Sequence, residues 1–290
     1  MLKGQSETGI AVMMRRFRNR SIGVCVQDLF SVAGKVALVT GGSRGIGEMI
    51  AAGFLANGVK TYISSRKADV CDATAARLMD EFGGECISIP ADCSNLPGIE
   101  GLVAAITERE SQLDILVNNA GASWGDPLDE FPESGWDKVM DVNVKGIFFL
   151  TQKCLPLLRT SANPETPARV INIGSIDGIK TPGFDNFSYG PSKAAVHHMT
   201  RQMAAHLVRE NIIVNAIAPG PFPSWMLSTG VGFGGETEGV DWDRVGESNP
   251  SRRVGAAEDI AGLAIYLSSR AGQYTVGDVI TCDGGSVAVS

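Results

Sequence analysis

A 290-residue chain with 44% hydrophobic residues and 35 glycines can bury a sizeable core and make many turns, which excludes the disordered and fibrous classes. Its formal net charge of -7 repels phosphate backbones and anionic membrane surfaces, so neither nucleic acid nor a membrane is expected as a partner. No apolar run approaches the roughly 20 residues of a membrane-spanning helix, and a soluble protein is expected.

The first segment differs from the rest. Up to Gly34, five basic residues (Lys3, Arg15, Arg16, Arg18 and Arg20) face two acidic ones (Glu7 and Asp28), a local balance of +3. An Arg-rich, acid-poor start of this kind fits a mitochondrial presequence, a flexible arm or an upstream start before Met13 or Met14. Residues 1–34 are therefore set apart as an extension, and the domain is expected over residues 35–290. Otherwise the cysteine usage points to a reducing cytoplasm: Cys25, Cys71, Cys86, Cys93, Cys154 and Cys282 form no C-x-x-C pair and no metal-ligand spacing. His197, His198 and His206 fall on one predicted helix without i, i+4 spacing, so a structural role is expected there and no metal.

From Lys35, short apolar runs alternate with helical patterns. KVALVT precedes a helix from Gly45, KTYISS one from about Ala68, and ECISIP one from about Pro97. LDILVNN, a helix across Trp136 to Leu158, ARVINIGS, a helix from Tyr189, IIVNAIAP, a helix near Glu258 and DVITCD complete the series. This alternation implies an α/β fold, a parallel sheet covered by helices on both faces. The long irregular stretch over residues 219–253, with Phe222, Trp225, Met226, Phe233 and Trp242, reads as a substrate lid.

Chemistry enters at the turn after the first strand. Gly41-Gly42-Ser43-Arg44-Gly45-Ile46-Gly47 opens directly into a helix, as a dinucleotide needs: a tight turn, backbone near the pyrophosphate and a helix N-terminus. At the second strand's end stand Ser64, Ser65, Arg66 and Lys67 with no acidic residue, so Arg66 and Arg44 suit a 2′-phosphate and NADP (NADPH) is the expected cofactor. Tyr189 and Lys193 share one face of a helix start, and Ser175 lies just past a buried strand. A lysine ammonium that lowers the tyrosine, with a serine on the substrate oxygen, would serve acid-assisted hydride transfer.

Taken together, Thr40-Gly-Gly-Ser-Arg-Gly-Ile-Gly47, Asn118-Asn-Ala-Gly121, Asn143, Ser175, Tyr189-x-x-x-Lys193 and Pro219-Gly220 resemble the short-chain dehydrogenase/reductase family from about Lys35 to Gly285. The resemblance implies a Rossmann-type, doubly wound parallel sheet of about seven strands in a single domain, assembled as a homotetramer or homodimer. It implies Tyr189 as general acid/base, Ser175 as carbonyl anchor, Lys193 on the nicotinamide ribose, and Asn143 in a proton relay. Asp92 and Cys93 would border the adenine, Asn119, Ala120 and Gly121 the cofactor floor, and Pro219, Gly220, Phe222 and Ser224 the nicotinamide. Ser224 and Cys93 depart from the residues the family usually has.

Within the family, NNAGASWG, PARVINIGS, YGPSKAA and IAPGPFPS look most like NADPH-dependent 3-oxoacyl reductases of the rhamnolipid-biosynthesis type. Trp124, Phe222, Trp225 and Met226 are then candidates for an acyl pocket beside Ser175, or simply for packing under the lid. Two other readings stay open: an alcohol dehydrogenase or ketoreductase for a steroid, polyketide or cyclic ketone, and a nucleotide sensor without turnover.

Overall fold

The computed structural model describes residues 25–230 and 240–290; the basic stretch before Cys25 and the part of the expected lid over residues 231–239 lie outside the described residues. The side chain of Trp225 lies outside them too.

Seven strands form one all-parallel sheet in the order β3-β2-β1-β4-β5-β6-β7. They are β1 (Val36–Thr40), β2 (Lys60–Ser64), β3 (Cys86–Ser88), β4 (Ile115–Asn118), β5 (Ala168–Ile173), β6 (Ile212–Pro219) and β7 (Val279–Cys282). Each lies within one of the apolar runs that predicted it. Such runs have no polar alternation because both sheet faces are covered. β5 and β6 are buried along their whole length, and pair from Ala168↔Ile212 to Ile173↔Ile217.

Successive side chains of β1 enter different cores, as the two-residue period of a strand requires. Ala37 and Val39 join Ile50, Phe54, Ile63, Ala264 and Leu267 on one face. Leu38 joins Tyr62, Ile99, Leu102, Leu116, Leu150 and Val214 on the other. The first face is closed by α2 (Gly45–Ala56) and α3 (Ala68–Phe82), together with α10 (Ala257–Ser268); the second by α4 (Leu96–Thr107), α6 (Ile147–Ser161) and α7 (Tyr189–Leu207). Truncating a fully buried leucine such as Leu116 to alanine typically costs about 2–5 kcal/mol, so either core alone rivals the net stability of a domain.

The structure adds three features to those expected from the sequence. Part of the extension before Lys35 packs on the domain: α1 (Val26–Phe30) sets Phe30 against Tyr266 with ring centroids 6.4 Å apart, and Val32 is 1% exposed within the first core. The basic count hid these apolar residues. The helix expected across Trp136 to Leu158 is three pieces, α5 (Glu133–Met140), a π turn (Asp141–Gly146) and α6. A π turn inside a helix carries no residue signature of its own, so apolar spacing does not predict it, although it often marks a functional site. The stretch after β6 also carries two short helices, α8 (Trp225–Gly230) and α9 (Trp242–Glu247), where only irregular chain was expected.

The sheet order reverses between β1 and β4. Ligands of open parallel sheets bind outside the carboxyl ends of the strands at such a switch point, and the main cavity, about 800 Å³, opens there.

Candidate active site

One end of the cleft is backbone. Gly41 and Gly45 hold φ of +64° and +57°, the left-handed region that glycine adopts without strain. A Cβ on Gly41 would stand 2.7 Å from the Asn119 amide nitrogen, so the turn closes only because it is absent. Asn119 Nδ2 donates to the carbonyls of Thr40 and Gly41, while the Thr40 hydroxyl donates to Val117 O and accepts from the N–H groups of Asn119 and Ala120. These bonds lock the turn after β1 to the turn after β4. The N-terminus of α2 then faces the cleft with first-turn N–H groups that have no intrahelical acceptor, a ready site for phosphate.

Gly41, Ser43, Arg44, Gly45 and Ile46 line this end, with Ser65 and Arg66 at the tip of β2 and Asp92 and Cys93 past β3. Asn119, Ala120 and Gly121 form the floor, and Pro219, Gly220, Phe222 and Ser224 the far side. Gly47 does not reach the cleft; it packs against the Gly41 carbonyl and Asn119 beneath the turn, where any Cβ would collide. The glycine cradle, the helix N-terminus and the basic tip of β2 fit a dinucleotide carrying an extra phosphate.

At the other end β5 and α7 bring Ser175, Tyr189 and Lys193 together on the cavity wall. The Ser175 hydroxyl, which accepts from the backbone N–H of Asp177 at 3.1 Å, lies on the same wall as the Tyr189 phenol and acts to lower its pKa. Lys193 Nζ donates to Ile173 O at 2.8 Å and lies 5.5 Å from the centroid of the tyrosine ring. Burial pushes the Lys193 ammonium down to about 8, against the pull of Asp177. The Tyr189 phenol moves the opposite way from the one expected from its sequence partner: burial first, and the Asp177 carboxylate second, raise it above its ordinary range, with the Ser175 hydroxyl opposing. Lysine spacing alone could not reveal that desolvation dominates. Tyr189 therefore keeps its proton at neutral pH, the state in which it can act as an acid.

Asn143 is fully buried in the π turn and does not line the cleft. Its Oδ1 accepts from Ala122 N at 2.8 Å, and its Nδ2 donates to Ala122 O and to Ser192 Oγ, each at 2.9 Å. The Ser192 hydroxyl in turn donates to the carbonyl of Tyr189 at 2.7 Å. Through these bonds the Asn143 side chain ties the cofactor floor to the catalytic helix.

The expected acyl-pocket residues divide. Met226 lines the cleft, and its Cε approaches Gly121. Phe222 borders it but is 2% exposed, its ring filling the space left by Gly255. Trp124 points elsewhere: its indole N–H donates to Asp126, Gly135 lies against its ring, and Lys138 Nζ sits 4.8 Å over it. A Trp next to a glycine-rich floor looks like a pocket wall in sequence, yet the chain has already turned onto α5. Residues that the sequence reading passed over include Ser123, Asp177, Phe184 and Asn186 on the cleft wall. Only Asp177 had a signal, its place two residues past Ser175.

The profile described as short chain dehydrogenase matches residues 35–230. The chain belongs to that family. This dehydrogenase is 50% identical over 256 residues to the rhamnolipids biosynthesis 3-oxoacyl-[acyl-carrier-protein] reductase of Pseudomonas aeruginosa, covering 88% of the chain and 97% of that relative. The structure titled Pseudomonas aeruginosa RhlG/NADP active-site complex superposes with a TM-score of 0.82 at 49% identity, covering 89% of the dehydrogenase and 98% of that chain. A gluconate 5-dehydrogenase of Gluconobacter oxydans is 34% identical over 259 residues, covering 89% of this chain and 96% of its own. Among the described residues, no helix of the dehydrogenase is long and apolar enough to cross a membrane.

Proposed function

We propose that this dehydrogenase is an NADPH-dependent reductase that converts the ketone of a 3-oxoacyl thioester to a secondary alcohol. One observation carries the reading: a protonated Tyr189, beside Ser175 and flanked by Lys193, stands in the same cleft as the glycine cradle of a chain half identical to a 3-oxoacyl reductase.

Bound NADPH would supply a hydride to the carbonyl carbon. Ser43, Gly45 and Ile46 would hold its pyrophosphate on the α2 N-terminus, Arg44 and Arg66 its 2′-phosphate, and Asp92 its adenine. Ser175 donates a hydrogen bond to the ketone oxygen as negative charge grows there. Tyr189 passes its phenolic proton to that oxygen, giving the alcohol and a phenolate. Lys193, mostly cationic below its pKa of about 8, stabilises the phenolate beside it. Asn143, through Ala122 and Ser192, fixes the distance between cofactor floor and tyrosine. Met226 borders the acyl chain, and the described parts of the expected lid, residues 219–230 and 240–253, flank it.

The Gluconobacter relative raises a sugar-acid alternative. Asp177 disfavours it: a half-buried carboxylate on the cleft wall repels a small substrate that itself carries a carboxylate, whereas the 3-oxoacyl chain of a thioester is uncharged. The same reading places a homotetramer or homodimer in the cytoplasm.

The test follows NADPH absorbance with a short 3-oxoacyl thioester beside 5-ketogluconate, steroid ketones and cyclic ketones. Oxidation fastest with the thioester is the expected result. A preference for another ketone would keep the chemistry and discard the thioester.

A further inference from the structure

We propose that His197 is a positioning residue for Ser175, holding the loop that carries the carbonyl anchor against the catalytic helix. The inference rests on the assignment of Ser175 and Tyr189 to ketone reduction and adds a residue that does not itself line the cleft.

Tyr189, Lys193 and His197 are spaced i, i+4 and i+8 along α7, so they form one stripe facing β5 and the loop after it. The first two reach the cavity. The third is 4% exposed and lies beneath the loop Gly174-Ser-Ile-Asp-Gly178. Its Nε2 accepts from the backbone N–H of Ser175 at 3.5 Å, and the other side of the ring packs against Gly178. One imidazole therefore clasps both ends of the turn that aims the Ser175 hydroxyl.

The loop is shaped to receive it. A Cβ on Gly178 would stand 2.8 Å from His197 Cε1, and one on Gly174 would overlap Nε2. Neither glycine has positive φ, so what they supply is space rather than conformational freedom. The bond from Ser175 needs a neutral ring whose Nε2 can accept. Burial, with the charges of Lys193 and Arg201 on the same helix, pushes the imidazole down to about 4 and keeps it in that form. Asp177 and Lys180 are the ionisable side chains on the facing segment.

A side chain that only fills space would affect stability and leave the Ser175 contribution intact. One that acts through Ser175 shows coupling to it. The experiment measures kcat, KM for the ketone and NADPH affinity by fluorescence in the wild-type enzyme, His197→Leu, Ser175→Ala and the double variant. His197→Leu is expected to lower kcat about 30-fold with NADPH affinity within about twofold, and to change kcat less than about twofold when Ser175 is already alanine. Multiplicative losses in the double variant, or an unchanged kcat in His197→Leu, overturn the inference. Full activity in Ser175→Ala would instead overturn the functional assignment beneath it. Should His197→Leu fail to fold, His197→Gln against His197→Met gives the comparison at similar volume. Gln retains a donor and an acceptor, so its kcat should exceed that of Met at least about fivefold; equal values overturn the inference.

Discussion

At the nucleotide end of the cleft the turns are tied by directional bonds. Thr40, Asn119 and the turn after β1 exchange hydrogen bonds across two strands, and glycines stand where no Cβ fits. At the substrate end Phe222, Met226 and Leu227 meet the cavity with apolar surface. Directional bonds need particular residues at fixed spacings, whereas apolar walls accept many residues of similar volume. The first kind of surface can hold one cofactor across many relatives; the second can change substrate without changing fold. That a 3-oxoacyl reductase and a gluconate 5-dehydrogenase both lie within reach of this sequence is consistent with such a division.

The same division decided what could be read from the sequence. All seven strands and the glycine turn were legible because buried parallel strands are continuously apolar and phosphate cradles need glycine. The trio of Ser175, Tyr189 and Lys193 was legible because its chemistry demands those types. The brace of Asn143 was not, since its partners are the backbone of Ala122 and the hydroxyl of Ser192, which leave no pattern. The direction in which the Tyr189 phenol moves was hidden too, because burial is set by the assembled walls rather than by local spacing.

The largest expected effect tests the catalytic wall itself. Tyr189→Phe keeps the ring and removes the proton donor, so kcat should fall about a thousandfold, or ~4 kcal/mol, while NADPH affinity measured by fluorescence stays nearly unchanged. Near-normal turnover in this variant would mean that the proton comes from another group.

Acidification comes next, and it tests stability instead of rate. His197 has a folded pKa of about 4 against an ordinary 6.5. With the folded value depressed, the unfolded chain binds the extra proton first, so stability is constant above about pH 6.5 and falls as pH drops toward 4. The full difference is about 3 kcal/mol, read as a drop in Tm, and His197→Gln should lose that share of the acid dependence. An identical Tm profile in the two proteins would show that the imidazole titrates normally.

Arg66→Ala probes the nucleotide end. Arg66 is exposed at the tip of β2, so water screens it and the expected loss of NADPH affinity is only about tenfold, with NADH affinity nearly unchanged. Equal losses for the two cofactors would remove the case for a 2′-phosphate contact.

The smallest expected effect is the sharpest test of where the substrate end stops. Trp124 follows the cofactor floor by three residues and is aromatic, the combination that suggests an acyl wall, but its ring packs on Gly135 and Lys138 and its N–H is spent on Asp126. Trp124→Phe removes the indole N–H and leaves an aromatic ring for the lysine, so KM for the thioester should stay within about twofold while Tm falls slightly. A large rise in KM at unchanged Tm would mean that the acyl chain extends past Met226 onto α5. The apolar wall would then be longer than the cavity around Ser175, and chain-length selectivity would reside on that helix instead of under the lid.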